Sequence, residues 1–311
     1  MRYVFGKGRS RWTPLLLLLP GMLFYFLIAL GPSLATSVFS FTDAPGIPGI
    51  EINWIGLENY DEFLFAGTSS RDNYDALLRT LKFCFLVTTI QFSLGLLVAM
   101  LLNQNLKGTK FFRTLFFFPV ILGVAIQGLM WRLFLYPQGG PMAQLWSLLG
   151  LQSEFLGGPA SEKFMWVVVV QIWANMGITM VIFLSGLQTI PEELNEAAKI
   201  DGASAWQTFR HVTWPLLTPS VNTNLLLNII GSLQAWQLFY VLIRYAPGTQ
   251  VLGYLVYAEG FGQTSGSMTL GFRQGYAAAA SIVLFLLVLV LGLATQYFLS
   301  ARERRILGAE V

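Results

Sequence analysis

Six stretches of this chain carry no charged side chain and are each long enough to cross a bilayer. They run from Trp12 to Thr42, Phe83 to Leu106, Thr114 to Trp131, Phe164 to Pro191, His211 to Ile243 and Gln274 to Ala301. Crossing the hydrocarbon core as a helix takes roughly 18 to 20 apolar residues. In lipid every backbone amide must find its partner inside the segment, so the runs are expected to be helices. A membrane barrel would instead read as short alternating segments. Of the 311 residues, 55% are hydrophobic and 11% charged, against about 25% charged in an average soluble domain. A soluble chain of this length could not cover its surface with so little charge. The expected fold class is an all-α integral membrane protein of six transmembrane helices, residues 1–311 forming a single membrane domain.

Two further charge-free stretches do not add a seventh span. Leu133 to Ser153 is interrupted by Tyr136-Pro137-Gln138-Gly139-Gly140-Pro141, a turn cluster that ends any helix. Met142 to Leu151 after it reads as a short helix at the membrane surface, and Val251 to Ala258 is too short to cross. The N-terminal Arg2, Lys7, Arg9 and Arg11 before a leucine run resemble a signal peptide. The apolar run outlasts the 7 to 15 residues of such a segment, so an uncleaved first span is expected.

Basic residues orient the spans. Arg2, Lys7, Arg9 and Arg11, then Lys107, Lys110 and Arg113, then Lys199 and Arg210, then Arg302, Arg304 and Arg305 fall on one side. That is most of the lysines and arginines, so the positive-inside rule puts both termini (1–13 and 302–311) in the cytoplasm. The opposite side takes an outer loop over 43–79, rich in Gly, Pro, Asn and acids, where short helices are expected. It also takes the Gly-rich stretch Gly260 to Gly275, expected as turns or a mobile loop. The net charge of +3 reflects this anchoring and implies no nucleic acid. The single Cys84 is expected as a buried small hydrophobe, and one His with one Cys argues against a protein-built zinc or haem site.

The cytoplasmic connection over 189–219 is the most informative segment. Thr189 with Glu192 gives a Thr-x-x-Glu helix start, with Pro191 in the first turn and acids at the positive helix end. Gly202 is the natural stop. Ser204 with Gln207 starts a second helix, and Pro215 and Pro219 lead into span five. Ala197 and Ala198 keep one face of the first helix narrow, so that another surface can approach closely. Such a hairpin suits docking into a cleft of a soluble partner.

Glu196-Ala197-Ala198, three residues, Gly202, nine residues, then Val212-x-Trp214-Pro215 resembles the EAA loop of ABC importer permeases. The family pattern ends in Ile-x-Leu-Pro, so Val212 is a mild departure and Trp214 a larger one. Trp54-Ile55-Gly56-Leu57-Glu58-Asn59-Tyr60, Phe112-Arg113-Thr114-Leu115-Phe116-Phe117-Phe118-Pro119 and Gly186-Leu187-Gln188-Thr189-Ile190-Pro191 resemble the carbohydrate branch, the maltose and glycerol-phosphate permease relatives. The resemblance implies a type I permease fold and a coupling role for Glu196, Ala197, Ala198, Asp201 and Gly202 against a cytoplasmic ATPase. It implies as partners a second permease, two ATPase subunits, an external solute-binding protein and membrane lipid, in a bacterial or archaeal plasma membrane. No cofactor is expected on this chain, ATP and magnesium belonging to the ATPases. Leu184-Ser185-Gly186-Leu187-Gln188 resembles the ATPase signature, but it closes a membrane span and no phosphate loop accompanies it. The chain is therefore expected not to be an enzyme.

Neutral polar residues in the spans are the candidates for a solute path, since burying them costs free energy unless they find partners. Span five is richest, with Asn224, Asn228, Ser232, Gln234, Trp236, Gln237 and Tyr240; the first three share a face at i, i+4, i+8. Asn222 belongs to the same span, and Gln127, Trp131, Gln171, Trp173 and Asn175 are weaker candidates. Two readings are open for these amides: contact with a hydroxylated solute, or hydrogen bonding between helices. For Glu196 the alternatives are a basic residue of the ATPase, or Lys199 or Arg210 in its own loop. A stand-alone secondary carrier is the rival function. It predicts inverted repeats, broken helices and usually an intramembrane ion-coupling carboxylate, none of which the sequence shows.

Overall fold

A computed structural model describes residues 13–65, 67–104, 107–151, 153–244, 246–265 and 268–308. The basic N-terminal residues Arg2, Lys7, Arg9 and Arg11 lie outside them. The chain is almost entirely helical. It begins with α1 (Thr13–Tyr25), a π-helical turn (Phe26–Leu30) and α2 (Gly31–Phe39), which together make one long apolar rod. Then come α3 (Glu58–Leu64), α4 (Gly67–Leu102), α5 (Thr109–Ile121), α6 (Val124–Phe134), α7 (Pro141–Leu148) and α8 (Ala160–Gln188). After them follow α9 (Glu192–Ile200), α10 (Ala205–Thr208), α11 (Trp214–Leu216), α12 (Thr218–Leu233), α13 (Gln237–Ile243), α14 (Leu252–Phe261) and α15 (Gln274–Leu307).

Among the described residues four helices are long and apolar enough to cross a membrane: Leu16–Phe39, Arg71–Leu102, Ala160–Gln188 and Gln274–Arg305. The third and fifth runs are each broken rather than continuous, against the sequence expectation that no helix is broken. The α5–α6 pair bends by 102° and the α12–α13 pair by 52°, and counting each pair as one span gives six. The sequence expectation of an unbroken helix fails at α5–α6 for a local reason. Pro119 brings no N–H to the ladder and Gly123 is extended, so carbonyls near the bend lose their helical donors. Leu122 N donates to Pro119 O at 3.1 Å, and the side chain of Gln127 adds to it, its Nε2 donating to Pro119 O at 2.8 Å and to Leu122 O at 3.0 Å.

Helices α4, α8 and α12 form the centre, with α5 on α8, α13 on α6, and α15 against α12 and α14. One apolar cluster joins Phe83, Phe164, Leu238, Phe239 and Tyr254; a second joins Leu102, Met180, Phe183, Leu187, Leu217 and Val221. Small residues let the backbones approach, as is common between membrane helices. A Cβ on Gly177 of α8 would meet the Phe116 carbonyl of α5 at 2.5 Å. Cys84 is buried as expected, near Thr88 and the Ile229 carbonyl.

Two local expectations are corrected. The Gly260 to Gly275 stretch carries an antiparallel pair, β1 (Gln263–Ser265) and β2 (Met268–Leu270), with Gln263 opposite Leu270. Thr189 does not cap α9. Its hydroxyl donates back to Gly186 O at 2.8 Å, closing α8, and Pro191 in extended conformation takes the cap position. The 43–79 region holds α3 and the start of α4, and folds back through a Thr42–Trp54 bridge with Trp54 stacked on Phe41 at 5.5 Å.

Candidate functional site

Two features stand out, a hairpin between α8 and α12 and a cavity at the two helix breaks. The hairpin is built from local signals. Acids Glu192 and Glu193 open α9 and Lys199 closes it, each complementing the helix dipole. Gly202 takes the left-handed conformation at φ 77°. Ala203 N donates to Ala198 O at 2.9 Å and Gly202 N to Lys199 O at 3.1 Å, the paired closure that satisfies the last carbonyls. The next helix starts on a complete capping box, with Ser204 N donating to Gln207 Oε1 at 2.7 Å and Gln207 N to Ser204 Oγ at 3.3 Å.

The root of the hairpin is anchored and its tip is bare. Phe209 and Trp214 pack onto the second apolar cluster. At the tip, Glu196, Ala197, Asp201 and Gly202 are exposed and Ala198 is half-buried. Large apolar side chains are left open beside them, Ile200 at 86% exposure and Trp206 at 66%. A residue as exposed as Ile200 contributes nothing to folding by burial, so its surface is available to another polypeptide. Among the described residues Glu196 makes no ion pair, and neither Lys199 nor Arg210 approaches it as a salt-bridge partner.

The cavity has a volume of about 760 Å³. Both breaks open onto it: Val120, Leu122 and Val124 come from the α5–α6 bend, and Gln234 to Leu238 from the α12–α13 bend. Gln171, Ala174 and Asn175 of α8, Gly253 and Val256 of α14, and Ser281, Leu284, Phe285 and Val288 of α15 complete the wall. No lining residue is charged. The polar groups are the amides of Gln127, Gln171, Asn175, Gln234 and Gln237, the Ser281 hydroxyl and the Trp236 indole. Trp236 is held by stacking on Tyr257 at 4.5 Å, and Tyr240 meets Tyr257 edge-on at 5.1 Å behind it.

The path candidates of span five therefore separate. Gln234, Trp236 and Gln237 line the cavity; Asn224, Asn228, Ser232 and Tyr240 do not. Asn228 Oδ1 accepts from Gln91 Nε2 at 2.9 Å and from Thr179 Oγ1 at 3.2 Å, joining α12 to α4 and α8. Asn224 Nδ2 donates to Thr179 O at 3.4 Å, and Ser232 Oγ to Ile229 O at 3.0 Å. Asn222 instead reaches α15, where its Nδ2 donates to Glu303 Oε2 at 2.7 Å. Of the weaker candidates, Gln127, Gln171 and Asn175 face the cavity. Sequence reasoning passed over Gln91 and Ser281, although each is a polar residue within an apolar run and the same rule would have found them.

Residues 91–306 match the family model described as binding-protein-dependent transport system inner membrane component. The arabinooligosaccharides transport system permease protein AraP of Halalkalibacterium halodurans is 31% identical over 94% of this chain and 89% of its own length. The trehalose/maltose transport system permease protein MalF of Thermococcus litoralis is 31% identical over 96% of this chain and 97% of its own. In fold, the chain is similar to a solved bacterial ABC transporter involved in import of the acidic polysaccharide alginate. That likeness has a TM-score of 0.77 at 22% identity and covers 93% of this chain and 96% of that one. The match spans both the cavity and the hairpin, and with four long apolar helices and two broken ones it fixes a multi-pass membrane subunit of a transporter rather than an enzyme. The chain belongs to the binding-protein-dependent transport system inner membrane component family of ABC importer permeases.

Proposed function

We propose that this permease passes a neutral oligosaccharide or similar hydroxylated solute, delivered by an external binding protein, and is driven by ATPase subunits seated on the α9–α10 hairpin. One observation carries the reading. An exposed, sharply capped hairpin is rooted in the same helix bundle that encloses a charge-free cavity walled by amides and an indole. Amides supply donors and acceptors for hydroxyls, and an aromatic face suits a sugar ring. Two relatives are named for arabinooligosaccharides and for trehalose and maltose, in keeping with that chemistry. A solute carrying a carboxylate would find no cation on the cavity wall.

The partners follow the same logic. A second permease completes the path, and the apolar rod Leu16–Phe39, none of it buried in its own bundle, offers that subunit and lipid an extended face. Glu196, Ala197, Ala198, Asp201 and Gly202 form the contact with a cytoplasmic ATPase, two copies of which hold the ATP and magnesium. Both termini and the hairpin then lie in the cytoplasm, in a bacterial or archaeal plasma membrane. The related solved transporter is described in complex with an alginate pentasaccharide-bound periplasmic protein, which supports an external delivery partner by analogy of fold.

The test is co-purification followed by transport. The tagged chain, expressed with its neighbouring subunits, is expected to bring down an ATPase and to take up sugar in vesicles only with ATP. Uptake driven by an ion gradient without ATP would instead establish a secondary carrier. Glu196→Lys is expected to leave insertion intact and to lower uptake about thirtyfold or more, the scale of reversing a charge against a buried partner. Normal uptake by that variant would remove the coupling role from Glu196.

A further inference from the structure

Trp214 stands where the EAA pattern carries leucine, and the structure shows what it touches. The Arg302 guanidinium of α15 lies over its indole, 5.6 Å from the ring centroid. Trp214 also leans on Phe209 at 5.9 Å, and Phe209 stacks on the exposed Trp206 at 5.6 Å. A ladder of aromatic rings thus runs from the bare tip of the hairpin to the last membrane helix. A second contact lies beside it. Asn222, near the start of α12, donates to Glu303 Oε2 at 2.7 Å and reaches Leu299 O at 3.5 Å. Leu299, Arg302 and Glu303 are spaced i, i+3, i+4 and so share one face of α15. Asn222 is buried, and its Oδ1 has no partner among the described residues. A buried amide held only through its donor side is costly to misplace.

The same helix walls the cavity. Ser281, Leu284, Phe285 and Val288 of α15 line it, and Val288 lies about 21 Å along the helix from Arg302 at 1.5 Å per residue. Resting on the reading of the hairpin as an ATPase-coupling element, we propose that Arg302 and Glu303 are positioning residues. They clasp the root of the hairpin and the start of α12 to α15, Arg302 through Trp214 and Glu303 through Asn222, so that displacement of the hairpin moves the cavity wall through α15 as well as through α12. A cation over an indole and a charge-assisted hydrogen bond resist separation while leaving the two elements free of covalent linkage. The clasp touches neither solute nor nucleotide. Its loss is read in the efficiency of coupling.

The experiment uses the complete transporter, reconstituted in vesicles with its partner subunits, and measures ATP hydrolysed alongside solute taken up. Asn222→Asp sets two carboxylates against each other, and is expected to lower uptake per ATP about tenfold while hydrolysis continues. Asn222→Asp combined with Glu303→Gln exchanges donor and acceptor across the same contact and is expected to restore uptake per ATP to within about twofold of wild type. A purely packing role would not be rescued by that exchange, so failure of the pair overturns the proposal. Trp214→Leu and Arg302→Ala supply a second measurement. Each is expected to lower uptake per ATP about two- to fivefold, and together no further than either alone. Losses that multiply, or wild-type efficiency in every variant, overturn the clasp alone. Absence of ATP-driven uptake by the wild-type complex overturns the coupling reading and the clasp with it.

Discussion

Glu259 on α14 has one carboxylate oxygen buried without a partner among the described residues. Burial pushes its carboxyl above the usual carboxylate range; the Arg273 guanidinium opposes this and Glu62 reinforces it. Arg273 is itself committed, paired to Glu62 and lying 4.2 Å over the Tyr276 ring. Asp43 is the opposite case: the amide and backbone N–H of Asn53 hold its carboxyl below the ordinary value. The sign of the Glu259 effect follows from linkage. A carboxyl whose folded pKa is raised contributes stability that is present at low pH and lost as pH rises through that folded value. Glu259→Gln removes the buried charge and is expected to melt at a higher temperature than wild type at pH 8, with the difference closing as pH approaches 4. Thermal unfolding of the detergent-solubilised protein at several pH values checks this. A variant melting below wild type at pH 8 would mean that the pairing with Arg273 outweighs desolvation.

At the scale of elements, the α5–α6 break is held by one side chain, and its removal is a measurable defect. Gln127→Leu takes away the donor to Leu122 O, and one of the two donors to Pro119 O, while keeping the bulk. A buried carbonyl left unsatisfied costs about 1–3 kcal/mol, which corresponds to a fall of about 2–5 °C in Tm for a chain of this size. An unchanged Tm would show that water or neighbouring backbone serves the Leu122 carbonyl. The break also marks the limit of what the sequence discloses. Charge-free runs reveal the spans because lipid excludes charge over a whole helix length. Pro119 and Gly123 leave the apolar pattern uninterrupted and so conceal the bend. The hairpin was legible for the converse reason, since Gly202 and the Ser204–Gln207 box act within four residues of themselves. Thr189 misled because its hydroxyl reached the nearer carbonyl of Gly186. The cavity was only half legible. The i, i+4, i+8 face of Asn224, Asn228 and Ser232 is real, but it meets Gln91 and Thr179 across the bundle, a tertiary fact that spacing along one helix cannot contain.

For the whole molecule, two of the apolar surfaces left open imply different neighbours. No residue of the rod Leu16–Phe39 is buried, as lipid or another membrane subunit requires. Leu194, Ile200 and Trp206 are exposed on a hairpin whose other residues are polar or small, which lipid would not cover. The hairpin tip must then change environment on assembly, and a thiol placed there reports it. The native Cys84 is buried and gives little background. Ile200→Cys in the chain expressed alone is expected to react fast with a membrane-impermeant maleimide in inverted vesicles. Co-expression with the ATPase is expected to slow that reaction about tenfold or more, since a side chain seated in a partner's groove becomes as inaccessible as a core residue. Leu23→Cys on the rod is expected to stay unreactive in both preparations, because the membrane rather than the ATPase shields it. Equal reactivity of Ile200→Cys with and without the ATPase would place the docking surface elsewhere. Fast labelling from right-side-out vesicles would reverse the orientation on which the transport cycle is built.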